Sequence, residues 1–291
     1  QRYEESARVT SPTPWDIMNE LMQGGLGGGE LGVVVAPAGI GKSWVLSAMG
    51  AYALSQGLNV VHYTLELNEA YVGLRYDSIF SGVESQNLKY HKEEVMEKLF
   101  NLKGNLTIKY YPTKSCTVNT LSAHLKKVVT FGDKVDMVLV DYADIMRDVH
   151  KSSEMRHALG NIYEDLRGLA GELQVPIWTA SQANRSALDE DVIEATKVAE
   201  SYAKVMTADF VMSLSRKIED KIGNTGRFHV IKNRFGPDGL TYPARINTNI
   251  GKIEIFESNS VQGKDVQHKI NNRDNQVKEM LSSRYEDLMN E

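Results

Sequence analysis

The chain has 291 residues, 42% of them hydrophobic and 24% charged, with a formal net charge of -5 and one cysteine, Cys116. That composition is an ordinary globular one, sufficient for one large α/β domain or two small ones, and it excludes an intramolecular disulfide and a uniformly basic nucleic-acid coat. No apolar run reaches membrane-spanning length and the opening QRYEESARVTSPTP is polar, so neither a membrane partner nor a signal peptide is expected.

In chain order, GGLGGGEL (24–31) reads as a flexible entry into the first strand, and residues 1–30 as a lead or linker. The chain begins with Gln, as expected of a fragment or processed product. LGVVVA (31–36), NVVHYTL (59–65), VDMVLVD (135–141) and VPIWTAS (175–181) are near-continuous apolar runs, the pattern of strands buried on both faces of a parallel sheet. Helical stretches are expected between them over 43–56, 68–81, 117–131 and 153–173, with Gly57 as a C-terminal cap. After Ala208 the texture changes to DFVMSLSR, GRFHVIKNR, LTYPARIN and GKIEIFE, short strands that predict an antiparallel extension of the sheet. The reading is an α/β domain over 31–257, a mostly parallel central sheet flanked by helices. A polar tail follows over 258–291, with a stripe of Val277, Leu281, Tyr285 and Leu288 at helical spacing.

The stretch VVVAPAGIGKSWVL (33–46) sets a Gly-punctuated turn and a Lys-Ser pair between a strand and a helix, the arrangement of a phosphate-binding loop. Backbone N–H groups of Ala38, Gly39, Ile40, Gly41, Lys42, Ser43 and Trp44 face one concavity, made more positive by the helix N-terminus. In such a loop Lys42 is expected to reach the β- and γ-phosphates of ATP and the Ser43 hydroxyl to ligate Mg2+. The first glycine of the usual pattern is Ala36 here, which is tolerable at a strand end with ordinary dihedrals. Asp141 ends the most apolar strand, where a carboxylate holds the metal directly or through water. Glu66 emerges at the same sheet edge and suits a base for the attacking water; taken alone, it reads equally well as a surface charge.

Several stretches together resemble the DnaB-type replicative helicases, whose ATPase domain is RecA-like. They are YTLELNEAYVGLRYDSIFSGV (63–83), ASQANRS (180–186), AESYAKVMTADFVMSLSR (199–216) and IKNRFGPDG (231–239), in order and at suitable spacing. The resemblance implies Glu66 as water activator, Asp141 as metal ligand and Gln182 as γ-phosphate sensor. It implies that Lys232 and Arg234 reach the neighbouring subunit's nucleotide, the arginine as a finger; by themselves the two read as a solvated edge-strand face, since alternate strand residues share a side. It further implies a homo-hexameric ring on single-stranded DNA, a primase or helicase-loader partner, and a cytoplasmic setting (the host's if phage-encoded). The lead 1–30 is too short for the N-terminal domain that meets such partners.

By the same resemblance, the loops after Asp141 and Gln182 line the DNA channel. Candidates are Arg147, Lys151 and Arg156 in the first, and Arg185, Lys197 and Lys204 in the second, with Lys197 and Lys204 ranked highest. The acidic LDEDVIEA (188–195) would repel phosphate if it lined that channel. Two other readings remain at this level: a RecA-type recombinase, against which KNRFGPDG speaks, and a regulatory module that binds nucleotide without hydrolysing it.

Overall fold

The structure, a computed structural model, describes residues 8–198 and 203–272. The first half runs β1 (Thr10–Ser11), α1 (Asp16–Leu21), β2 (Leu26–Gly27), β3 (Leu31–Ala36), α2 (Lys42–Ser55), β4 (Val60–Thr64), α3 (Glu69–Ser81), α4 (Lys92–Phe100), β5 (Leu106–Tyr110) and α5 (Val118–Thr130). The second half runs β6 (Met137–Asp141), α6 (Met155–Leu173), β7 (Ile177–Gln182), α7 (Ala203–Thr207), β8 (Phe210–Ser215), α8 (Ile218–Gly223), β9 (Thr225–Asn233), β10 (Thr241–Asn247) and β11 (Lys252–Ile255). A further helix occupies 261–272 and buries Val266 and Ile270. The apolar stripe expected from Val277 to Leu288 lies outside the described residues.

Nine strands form one sheet in the order β11-β10-β9-β8-β3-β7-β6-β4-β5. β8, β3, β7, β6, β4 and β5 are parallel to their neighbours, and β9, β10 and β11 extend the sheet antiparallel from β8. Both expectations drawn from the apolar runs therefore hold. Side chains alternate between two cores. Val33 and Val35 of β3 face a cluster with Leu121 and Leu125 of α5 and Ile162 and Leu166 of α6. Val34 and Ala36 face the opposite cluster with Val45, Leu46 and Met49 of α2 and Val72 of α3. Parallel strands need helical crossovers, so the C-terminal ends of β3, β4, β6 and β7 meet at one edge. Register aligns them: Ala36 pairs with Gln182, and Thr64 with Asp141.

The lead segment departs from its expected flexibility. Trp15, Met18, Met22 and Leu26 are buried in the second core, and the Trp15 indole donates to the Ile253 carbonyl at 3.0 Å. β1 pairs antiparallel with β2, so the Gly-rich stretch is a strap and not a loose entry. Its glycines serve close approach: a Cβ on Gly25 (φ +112°) would collide with the Ser11 carbonyl, and one on Gly28 with that of Gln174. β5 and α4 are elements that the apolar pattern did not announce. β5 is an edge strand whose residues are all half-buried, and α4 buries only Val95.

Candidate functional site

The loop from Ala36 to Ser43 leaves the C-terminal end of β3 and opens directly into α2, as the motif requires. Gly39 and Gly41 have φ of +71° and +127°. A Cβ on Gly39 would meet nothing within 4 Å, so its glycine answers to backbone conformation and not to crowding within the protein. Ile40, 1% exposed, pins the loop into the core. Ala36 closes β3, fully buried and with ordinary φ, and the missing first glycine costs the loop nothing visible.

This loop forms one wall of a cavity of about 430 Å³, whose lining includes Lys42, Ser43, Trp44, Glu66, Arg75 and Gln182. The Lys42 ammonium donates to the carbonyls of Ala36 (2.9 Å) and Pro37 (3.1 Å). Burial draws its pKa down, while Asp141, Asp144 and Glu66 act in the opposite sense. Glu66 is exposed to the cavity on a turn held by its neighbours. The Thr64 hydroxyl donates to Leu67 O (2.6 Å), Leu65 N donates to Asp141 O (2.8 Å), and Asn68 caps α3 by accepting from Tyr71 N (3.1 Å).

Asp141, the last residue of β6, is 3% exposed. Burial raises its pKa, against the lowering effect of the Ser43 hydroxyl and of Arg75. Its Oδ2 lies 4.0 Å from the Arg75 guanidinium, and its buried Oδ1 has no hydrogen-bond partner. A buried carboxylate oxygen left open beside a hydroxyl fits a hard cation that takes oxygen ligands. No group of three or more His, Cys, Asp or Glu stands together among the described residues, so any cation here completes its shell with water and substrate phosphates, as magnesium does.

Three charged cavity residues were not singled out from the sequence. Arg75 lies over the Trp44 ring (5.2 Å) between Asp141 and Glu66, and Arg216 and Lys221 close the far side. Arg75 left a signal: in α3 it stands beside the inward residues Val72 and Tyr76, a charge on a buried stripe. Arg216, 5% exposed, donates to the carbonyls of Thr225 and Ile246, bracing β9 and β10 beneath the cavity.

Lys232 and Arg234 do not join this cavity. β9 runs antiparallel to β8, and Lys232 pairs with Val211 near the start of that strand, at the sheet edge opposite the phosphate loop. β9 lies inside the sheet and not at the edge that the residues alone suggested; Lys232 is half-buried and Arg234 exposed, with Asn233 buried between them. Lys232 donates to the carbonyls of Val205 (3.0 Å) and Met206. Arg234 contacts Asp209 Oδ1 at 2.7 Å; the same 1%-exposed carboxylate accepts from Arg167 Nε (3.0 Å) and Leu31 N (3.0 Å).

The DNA-facing candidates separate. Arg147, Lys151, Arg156 and Arg185 are exposed, and Lys197 is half-buried in an ion pair with Glu190 at 2.7 Å. Lys204 is 1% exposed and paired with Asp144 at 2.9 Å, so its ranking as a DNA contact is corrected: its ammonium faces the interior. Within the acidic stretch, Asp191 meets Lys217 (2.9 Å) and Arg227 (3.2 Å), and Glu190 is the partner of Lys197.

Sheet order, loop and edge-aligned acids define a P-loop fold built on a mostly parallel sheet. The chain belongs to the family of the DnaB-like helicase C-terminal domain, whose model matches residues 12–250. A DnaB-like replicative helicase of Enterobacteria phage T4 is 29% identical over 252 residues, covering 80% of this chain and 52% of that protein. A solved structure described as an ATPase domain superposes with a TM-score of 0.74 at 17% identity, over 88% of this chain and 94% of the other. A DnaB-like replicative helicase, whose structure was described with its interactions with primase, gives the same TM-score and identity over 88% and 64%. The chain thus spans about half the length of its phage relative.

Proposed function

We propose that this chain is the ATP-hydrolysing motor of a replicative DNA helicase that works as a homo-hexameric ring on single-stranded DNA. The observation that carries the reading is the cavity lined by Lys42, Ser43, Glu66 and Gln182, with the carboxylate of Asp141 buried beside it and its Oδ1 without a hydrogen-bond partner. In this reading Lys42 leaves its loop carbonyls for the β- and γ-phosphates, and Ser43 and Asp141 hold Mg2+, which neutralises charge on the phosphate oxygens. Glu66 takes the proton of the attacking water. Gln182, able to donate and accept, responds to the γ-phosphate.

Arg234 is the reason to infer a ring. β3 has six residues and rises about 3.3 Å per residue, so about 20 Å of sheet separates Arg234's edge from its own phosphate loop. An arginine cannot span that gap, whereas a neighbouring subunit can bring its own Arg234 to this cavity. Such fingers are worth roughly 10³–10⁵ in rate. The motor domain covers 31–257, with 8–30 as its strap and the residues from 258 as a tail. A primase or loader partner and action in the cytoplasm, the host's for a phage protein, accord with the relatives found.

The test is phosphate release against protein concentration, with and without single-stranded DNA. Specific activity should rise with both, Arg234→Ala should bind ATP yet lose most turnover, and mixing it with Lys42→Ala should restore part. A dilute monomer as active as the assembled form would refute the shared site, and no phosphate release under any condition would leave the regulatory-module reading standing.

A further inference from the structure

We propose that Asp144 and Lys204 form a positioning pair that ties both ends of the loop following β7 to the backbone of Gln182, so that DNA held by that loop sets the rate of ATP turnover. The inference rests on the motor reading above.

Asp144 stands three residues beyond Asp141, on a short 3-10 turn over 143–145. Its carboxylate is fully engaged. Oδ1 accepts from the Tyr163 hydroxyl at 2.7 Å and faces the Lys204 ammonium at 2.9 Å; Oδ2 accepts from Gln182 N at 2.9 Å and from the Ser181 hydroxyl at 3.1 Å. Lys204 also donates to the Ser181 hydroxyl at 3.3 Å and lies over the Tyr163 ring. The side chains of Lys204 and Asp144 are 1% and 11% exposed. Neither charge is tolerable at that depth without the other, so a displacement of one is felt by the other.

The topology gives the pair its consequence. Gln182 ends β7 and Lys204 lies in α7, and the intervening chain leaves and returns to the same carboxylate. Ala183 bridges Val198, and Asn184 N donates to Lys197 O at 2.9 Å, so the described part of this excursion is itself drawn together. Arg185 and Lys197 ride on it. A pull on the loop reaches Asp144 through Lys204, and Asp144 holds the peptide whose side chain lines the ATP cavity. The pair touches no substrate and acts through Gln182.

The experiment uses the full chain as wild type, Lys204→Met, Lys204→Arg and the double variant Asp144→Asn/Lys204→Met, in which both charges are replaced by neutral side chains of similar size. The readouts are kcat and KM for ATP with and without oligo-dT, and the urea midpoint. Lys204→Met and the double variant should lose about tenfold or more of the DNA-stimulated kcat, with KM for ATP within about twofold, since small misplacements near the reacting group cost on that scale. Lys204→Arg should recover part of the stimulation. A purely structural role would lower the urea midpoint and leave the ratio of stimulated to basal rate unchanged. If Lys204→Met does not fold, the double variant decides: stimulation within twofold of wild type overturns the proposal. If the wild type hydrolyses no ATP or ignores DNA, the motor reading fails, and the link is read by trypsin cleavage after Arg185. Protection by adenylyl-imidodiphosphate in the wild type and its loss in the double variant uphold the link, and equal cleavage in both overturns it.

Discussion

Replacing Trp15 by alanine asks whether the residues before β3 belong to the folded domain. The indole is 3% exposed, its ring centroid lies 5.9 Å from that of Phe228, and its N–H reaches Ile253 O at 3.0 Å. A buried tryptophan removes about 150–250 Å² from water, worth about 4–6 kcal/mol at about 25 cal/mol per Å². Alanine retains some of that burial and the core closes partly around the gap, so the expected loss is about 3–5 kcal/mol. Trp15→Phe keeps the ring and loses the hydrogen bond and some volume, and should cost about 1–2 kcal/mol. Urea unfolding followed by circular dichroism measures both. With a slope of about 3 kcal/mol/M, the alanine variant should shift its midpoint by about 1 M or more, with the slope unchanged. A loss below about 0.5 kcal/mol, the range of ordinary surface substitutions, would refute the strap and return the segment to a linker.

Lys42→Ala should abolish ATP hydrolysis, while Glu66→Gln should bind a fluorescent ATP analogue normally and turn over poorly; near-normal turnover in the glutamine variant would remove Glu66 from water activation. Arg185→Ala and Lys197→Ala should each weaken single-strand binding alike for all sequences and flatten its log–log salt slope by roughly one unit per lost phosphate contact, as titrations at several salt concentrations will show. Asp141→Asn should abolish turnover yet stabilise the ligand-free protein at neutral pH. A carboxyl whose folded pKa is raised gives its full stability below the unfolded value of about 3.9 and loses it as pH rises through the folded one, so removing the charge recovers that loss, visible as a higher urea midpoint at pH 7. Burial and the charge of Arg75 hold His62 down to about pKa 3, so its neutral form contributes stability above about pH 6.5 that disappears as pH falls toward 3. NMR titration should find the His62 ring neutral throughout from pH 8 to pH 5.

The central strands were legible because both their faces are buried, which leaves an uninterrupted apolar run. The phosphate loop was legible because its chemistry is local: Gly39, Gly41, Lys42 and Ser43 are adjacent in sequence and in space. Elements with one wet face were not. The edge strand LTIKY alternates without a core-facing run, and Gly24 to Gly29 look like a linker until the Ser11 and Gln174 carbonyls are seen against them. Lys204 shows the same limit for charge. A lysine in a basic, DNA-facing loop and one turned inward onto Asp144 are written identically, and only the fold brings residues 144 and 204 together. Arg75 is a charge on the buried stripe of α3 with Val72 and Tyr76, and only the fold shows that it turns toward Asp141 and Glu66.

Asp209 carries one negative charge and receives two arginines, so the foot of β3 holds a surplus cation. If Arg234 swings away, Arg167 still donates through two nitrogens (3.0 and 3.1 Å) and Leu31 through its amide, and the buried carboxylate is not orphaned. Departure therefore carries none of the penalty of stranding a charge in the interior. Half of the Arg234 side chain is already in solvent, whereas the Asp209 carboxylate it meets is 1% exposed. Of the two arginines on Asp209, Arg234 is the more exposed, and Arg167 with the Leu31 amide would keep the buried carboxylate partnered without it.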